Sequence, residues 1–420
     1  PPSHLSAFIL MNPGSPLVSL LKMSGLRINL GYRELLIEIF FLFLARSKNL
    51  VINLLFNDFV SDNRVLKECR TLVKNKYDVT LIATYFDKDL PKQEIIEGIT
   101  VKRINVGRVK FLPWNLLRFW IYILRNYKSG EIFHCNDLYA LPPAYFIKNF
   151  LNKNAKIIYD CHEHETEAQI YINNPILKWS AKVIERKMIY SADKIIVVSK
   201  SIGKDYMKMY GIDMPYLIMN CSVFETYEKT DYLRKEFNIP KDNVILFYVG
   251  IYKQGRGLER LIELFRLASS KNKKLSLVLL TWGDEIEKLK ESIENDDNIF
   301  LHDRAPLDLF MKYVASADYG VLLLENISKN NDFALPNKLF DYVMTKLPMI
   351  VSDLTEMERF VNGCGVGYVV NYEDDQEVID VFEKLDMDTK TRFLPNLEKA
   401  RKKYNWEEQE KVLVKLYKSL

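Results

Sequence analysis

The chain lacks most of the signatures that would assign it at a glance. Its five cysteines, Cys69, Cys135, Cys161, Cys221 and Cys364, are scattered and odd in number. That excludes a disulfide framework and suits a reducing cytosol. The five histidines show no zinc-ligand spacing, so no metal is expected. Apolar runs are short: Leu35–Ala45 is too brief to span a bilayer and contains Glu38. There is no GxGxxG or Walker loop, which leaves a Rossmann dehydrogenase or a P-loop NTPase unsupported. Short-period repeats, coiled coils and low-complexity tracts are missing. A net charge of +4, with both signs interspersed, gives no electrostatic footprint for nucleic acid.

What is present is 420 residues with 48% hydrophobic content, enough for two domains and at most three. Residues 1–48 read as an extension, either disordered or a misplaced start of translation, because Pro1 to Arg33 carries turn signals without periodicity. Arg33, Arg46 and Lys48 flank the apolar Leu35–Ala45 run, which suits contact with a membrane interface. A signal peptide is the rival reading, but no small-residue cleavage site follows.

From Asn49 onward, apolar strands alternate with helix-period segments. Strands are expected at 50–56, 78–84, 99–104, 131–134, 156–159 and 194–198, with helices between them. The pattern pauses over 215–240 and restarts at Val244. The fold class is therefore α/β, with two doubly wound parallel-sheet domains joined near Met219 to Glu225. Ligands of such sheets bind at the carboxyl ends of the strands, so strand exits hold the candidates.

The stretch from Ala334 to Tyr342 opens a helix with Pro336 and Asn337, and Lys338 and Asp341 share one face of its first turns. Helix N–H groups beside a lysine suit a phosphate, and the carboxylate suits a ribose; an ordinary intrahelical ion pair accounts equally for the same residues. Strand Val244–Gly250 exits through Gly255 and Gly257, flanked by Lys253 and Arg256, a cradle for pyrophosphate or simply two cations in a turn. Strand Lys156–Tyr159 exits into Asp160, Cys161, His162, Glu163 and His164, and His162 leads as a functional residue. Asn136 and Asp137 leave the preceding strand. The helix from Trp114 to Tyr127 mixes aromatics with Arg118 and Arg125, as interfacial helices and ordinary amphipathic helices both do.

With these residues placed, the chain resembles the group 1 glycosyltransferases (glycosyltransferase family 4, GT-B fold) from about Asn49 to its end. The segments that carry the resemblance include Asn57–Leu72, His134–Ala144, Ile157–Glu167, Tyr248–Leu264 and Ala334–Asp353. It implies two Rossmann-like domains facing across a cleft, at 49–218 on the acceptor side and 219–403 on the nucleotide-sugar side. A final helix, 404–420, crosses back onto the first domain. The implied reaction is retaining, metal-independent transfer of a sugar from a nucleotide-diphosphate sugar, which is a substrate, with no cofactor. The implied acceptor is a saccharide or lipid-linked saccharide in cell-envelope polysaccharide or lipopolysaccharide synthesis. Location is then cytoplasmic, with peripheral contact at the cytoplasmic face of the membrane. Catalytic roles fall to His162, Arg256 and Lys253. Donor binding falls to Gly250, Gly255, Gly257, Pro336, Asn337, Lys338 and Asp341. Acceptor-side candidates are Asp62, Arg64, Asp137 and Glu163.

The chain departs from the family at several points. Ile251 stands where many members have a second diphosphate-binding arginine. Phe333 occupies the first acidic position of the Glu-x7-Glu element, and Asp341 is shorter than the usual Glu. These departures keep two alternatives in view: an inactive nucleotide-sugar-binding scaffold, and a GT-B-like nucleotide-sugar epimerase.

Overall fold

The computed structural model describes residues 49–85, 89–106, 112–302 and 305–420. The expected extension at residues 1–48 lies outside them.

The first sheet has the order β3-β4-β2-β1-β5-β6-β7-β8. Its strands are β1 (Leu50–Leu54), β2 (Asp78–Tyr85), β3 (Gln93–Ile96), β4 (Ile99–Asn105), β5 (Ile132–Asn136), β6 (Lys156–Cys161), β7 (Lys194–Val197) and β8 (Tyr216–Leu217). The helices between them are α1 (Asn63–Lys74), α2 (Leu112–Asn126), α3 (Asp137–Phe146), α4 (Pro175–Met188) and α5 (Lys200–Tyr210). The strands are near-continuous apolar runs because helices cover both faces. The chain moves one way along the sheet from β1 to β2 and the other way from β5 to β8. This puts α1 on one face and α3, α4 and α5 on the opposite face. The two cores agree. One packs α1 residues such as Val65 and Leu72 under the sheet, and the other packs Phe119, Leu141, Ala181 and Tyr206 above it.

The second domain repeats the plan with the order β11-β10-β9-β12-β13-β14. Its strands are β9 (Val244–Ile251), β10 (Leu275–Trp282), β11 (Ile299–His302), β12 (Tyr319–Leu322), β13 (Met349–Ser352) and β14 (Gly367–Val370). Its helices are α6 (Tyr232–Phe237), α7 (Leu258–Lys271), α8 (Ile286–Ile293), α9 (Leu307–Ser316), α10 (Lys329–Asp332), α11 (Asn337–Met344), α12 (Thr355–Cys364), α13 (Asp375–Glu383), α14 (Met387–Thr391) and α15 (Leu394–Lys403). The last helix, α16 (Trp406–Lys418), returns to the first domain, where Trp406, Leu413, Leu416 and Tyr417 are buried beside Val65 and Leu72.

Three local expectations need correction. The first sheet is not wholly parallel: β3 pairs antiparallel with β4 through a two-residue turn at Glu97 (φ +51°) and Gly98 (φ +83°). Two successive left-handed residues make the hairpin turn whose twist matches the strands. The helix expected from Leu141 starts at Asp137, and Pro142 and Pro143 sit inside it. A π-helical turn, Ile147–Leu151, then ends it. Finally, α6 and the short strand β8 occupy the stretch where the sequence pattern pauses.

Candidate functional site

At the carboxyl end of β9 the chain turns through Lys253–Gly257 into α7. Gly255 and Gly257 have φ of +84° and +66°. A Cβ on Gly257 would lie 1.8 Å from the Leu323 carbonyl oxygen, so only glycine fits this turn. Gly250 is buried at the end of β9. Lys253 and Arg256 are exposed, and Lys338 is half-buried in the first turn of α11. Among the described residues, no carboxylate forms an ion pair with any of the three. Burial lowers the Lys338 pKa, and Arg256 lowers it further, while Asp341 works the other way. Two like charges are thus held together near two helix N-termini, an arrangement that an anion relieves.

Pro336 precedes α11 as its N-cap and Asn337 is its first residue, so both lie where the sequence puts them. Asp341 is already engaged: its Oδ1 accepts a 2.6 Å hydrogen bond from Ser222 Oγ in the segment joining the domains. Burial raises its pKa, against Ser222, Lys338 and Lys67. Lys67 on α1 donates to Asn220 Oδ1 at 2.8 Å and to the Cys221 carbonyl, and lies 5.0 Å from the Trp406 ring. Asp341 is therefore part of the joint between the domains.

The exit of β6 gathers the second group. His162 lies with Nε2 3.4 Å from Asp160 Oδ2 and Nδ1 3.6 Å from Asp137 Oδ1. Burial opposes its protonation, but Asp137 and Asp160 prevail and push its pKa up to about 10. It is an imidazolium at neutral pH, suited to donate hydrogen bonds and not to accept a proton. Asp137 has φ +64°, a strained value for a non-glycine residue, held at the start of α3. Its Oδ1 accepts from the His162 backbone N–H at 3.3 Å. Glu163 Oε2 accepts from Asn330 Nδ2 at 2.8 Å. Burial lifts its pKa and Asp137 adds to the rise.

Two acceptor-side candidates are engaged within the first domain. Asp62 caps α1 by accepting from Val65 N–H at 3.1 Å. Arg64 is buried, makes bonds of 2.7 and 2.9 Å to the two Asp160 oxygens, and donates to the Ile218 carbonyl at 3.0 Å. It cannot reach an acceptor, but it fixes the carboxylate that faces His162. Glu68, His134 and Asp160 come close enough together for one cation. The Arg64 guanidinium stands against two of the three, 3.1 Å from Glu68 and 2.7 Å from Asp160.

The sequence reading missed Asn330, Asp205 and Tyr417. Asn330 on α10 bridges the domains, because its Oδ1 also accepts from His164 N–H at 2.8 Å. Asp205 binds His164 Nε2 at 2.8 Å and pairs with Lys329 at 2.8 Å. Phe333, at the first acidic position, lies 6.5 Å from the His164 ring. Tyr417 OH lies 2.7 Å from His134 Nδ1. The partners of these residues are far away along the chain, beyond what local pattern can show.

Two family models match this architecture. Residues 62–220 match Glycosyltransferase Family 4, and residues 242–388 match Glycosyl transferases group 1. The chain is a group 1 glycosyltransferase. Comparison with curated protein sequences finds no match. Among solved structures, this glycosyltransferase is similar to a sucrose-phosphate synthase of Thermosynechococcus elongatus (TM-score 0.71, 15% identity, 89% of this chain and 99% of that one). HepE of Anabaena in complex with UDP-glucose is similar at TM-score 0.68 and 13% identity, covering 88% and 100%. An α,α-trehalose-phosphate synthase (UDP-forming) of Burkholderia vietnamiensis is similar at 0.62 and 11%, covering 88% and 100%. These likenesses show that the glycosyltransferase has the GT-B fold. Among its described residues no helix is long and apolar enough to cross a membrane.

Proposed function

We propose that this glycosyltransferase moves a sugar from a nucleotide-diphosphate sugar to a saccharide or lipid-linked saccharide, with retention at the anomeric carbon and without a metal ion. The observation that carries the reading is the set of cations at the glycine turn. Arg256 and Lys338 come together at the amino ends of α7 and α11, Lys253 lies in the turn just before α7, and no carboxylate forms an ion pair with the three among the described residues. As the anomeric bond breaks, charge grows on the departing phosphate. Fixed cations and helix N–H groups stabilise that charge more than the ground state. The same three charges take the place of a divalent ion. His162, held protonated between Asp137 and Asp160, donates a hydrogen bond that orients the sugar. Asp137 and Glu163, beside it, face the acceptor. Closure of the domains excludes water and favours transfer over hydrolysis. HepE in complex with UDP-glucose and the UDP-forming synthase make a uridine diphosphate sugar the first donor to try. The cellular setting we propose is cell-envelope polysaccharide or lipopolysaccharide synthesis at the cytoplasmic face of the membrane.

The test is a thermal-shift comparison of UDP, GDP, ADP and CMP with and without EDTA, followed by turnover of Arg256→Ala. A shift with one diphosphate that survives EDTA is expected. Arg256→Ala should keep its fold and lose roughly 100-fold or more in kcat. Near-normal turnover would overturn the role of Arg256, and a shift abolished by EDTA would overturn metal independence.

A further inference from the structure

The exposed apolar surface of the molecule is concentrated in one place. Of the twenty-four large apolar side chains that stand exposed among the described residues, sixteen lie between Trp114 and Met214. They sit on α2, α3 with its π turn, α4 and α5, and on their connections. These helices cover one face of the first sheet. The other face, under α1 and α16, has none of them on either helix.

Helix α4 shows the pattern most clearly. It buries Ala181 and Glu185 and exposes Ile176 (79%), Trp179 (68%) and Val183 (47%). Those three positions, spaced i, i+3 and i+7, form one stripe, and the stripe faces away from the core. An ordinary surface helix is arranged the opposite way. The only acidic residue of α4, Glu185, is turned inward and accepts from the hydroxyls of Tyr159, Tyr206 and Tyr210. Across the π turn, Phe150 is 66% exposed. Asn149 in that turn bonds Ser191 just beyond α4, so the two apolar regions adjoin.

The charge on this layer is one-sided. The helices themselves, α2, α3, the π turn, α4 and α5, contain ten lysines and arginines and three acidic residues; three of the ten are paired with acids on the connections, Lys178 and Lys182 with Glu167 and Lys148 with Asp193, which leaves seven. Of the three acids, Glu185 is buried, Asp205 is held by His164 and Lys329, and Asp137, with its side chain 36% exposed, stands beside His162 at the cleft.

We infer that this helical layer, with the outward stripe of α4 at its centre, seats the enzyme on the surface of an anionic lipid bilayer. Apolar and aromatic side chains interleaved with cations enter the headgroup region, where basic residues gain from negative lipid. A second copy of the chain fits less well, because a two-fold interface would set these cations against one another. The layer also reaches the cleft. Gln169, six residues before α4, donates to the Gln254 carbonyl in the donor turn at 3.0 Å. Ile170, Ile172 and Ile176 then lead from that rim onto the stripe. The assignment deepens the reading of a lipid-linked acceptor and rests on it: the acceptor's lipid stays in the bilayer while its sugar enters the cleft.

The experiment is co-sedimentation of the full chain with vesicles of phosphatidylcholine alone and of phosphatidylcholine with phosphatidylglycerol. It is repeated on Ile176→Ser/Trp179→Ser and on Arg186→Ala/Lys187→Ala, with sedimentation equilibrium and UDP thermal shifts in parallel. The wild type should pellet with the anionic vesicles and be released by salt. The apolar double variant should lose roughly tenfold or more in partitioning, and the basic variant less. Both variants should keep their melting temperature and nucleotide shift, because these side chains are exposed. Failure of the wild type to pellet would overturn the inference. So would equal pelleting of the apolar variant, or a dimer that this variant converts to monomer. A chain that binds nucleotide but no vesicles removes this inference alone, whereas one that binds vesicles but no nucleotide removes the donor reading alone.

Discussion

The charges around His162 come in an order that burial imposes. Asp160, tied to Arg64, is held well below the usual carboxylate range. Glu68 faces Arg64 at 3.1 Å and His134 at 3.5 Å without a well-directed hydrogen bond on either oxygen. Burial lifts its pKa to about 7; Arg64 opposes that rise and Asp160 adds to it. The folded chain therefore keeps a proton that the unfolded chain has released between pH 4.5 and about 7. Over that window stability falls as pH rises, and above it the full cost remains. Glu68→Gln removes the ionisation. At pH 8 it should raise the melting temperature by about 2–4 °C. At pH 5, where Glu68 is largely protonated, the gain should be much smaller. Calorimetry at the two pH values decides: an equal change at both would mean that Glu68 is ionised throughout. His162 has the same sense in a higher window: its stabilisation as a cation is fully present below its ordinary value of 6.5 and is lost as pH rises from there through about 10.

At the scale of elements, the turn between β9 and α7 is the most demanding piece of backbone. Gly257→Ala would force a Cβ into the Leu323 carbonyl and a left-handed φ onto alanine. The expected destabilisation is about 3 kcal/mol or more, from the clash together with the strain. Urea unfolding should show it as a lower midpoint. An unchanged midpoint would mean that the turn moves freely, and the cation cradle would then lose its rigidity argument. This element was legible in the sequence, because paired glycines between an apolar strand and an amphipathic helix mark a tight turn with close backbone approach. So were the strand exits at Asp137 and His162, whose polar residues follow buried runs. The β3–β4 hairpin was not read, since Gln93–Ile96 is an edge strand whose short run alternates weakly. Arg64 reads as an acceptor-side candidate, and its bond to Asp160, 96 positions later, is not visible in the sequence. Asp341 was placed correctly on its helix, but its bond to Ser222 depends on how the two domains meet. Residue type and local period reveal elements and their exits, and they leave partners across the sheet and across the cleft unspecified.

At the scale of the whole molecule, the domains meet through polar contacts, which suits surfaces that must part and rejoin. Asn330 touches Glu163 and His164, Lys329 pairs with Asp205, Gln169 reaches the Gln254 carbonyl, and Glu356 accepts from Ser201 N–H at 2.6 Å. Each contact of this kind contributes about 1 kcal/mol net, so together they hold the closed arrangement without locking it. Helix α16 and the Lys67 contacts to Asn220 and Cys221 lie at the joint and do not cross the cleft, so they should persist on opening. Asn330→Ala/Lys329→Ala removes the α10 contacts and leaves the joint untouched. The radius of gyration in solution should increase, by small-angle scattering, and the Michaelis constant for donor should rise several-fold. Loss of roughly 2 kcal/mol of closing energy predicts at most a thirtyfold effect. The melting temperature should hardly change, because both side chains lie at the surface of their own domain. Unchanged scattering together with an unchanged Michaelis constant would show that the α10 bridge does not control closure, leaving the joint at Ser222 and Asp341 as the element that sets it.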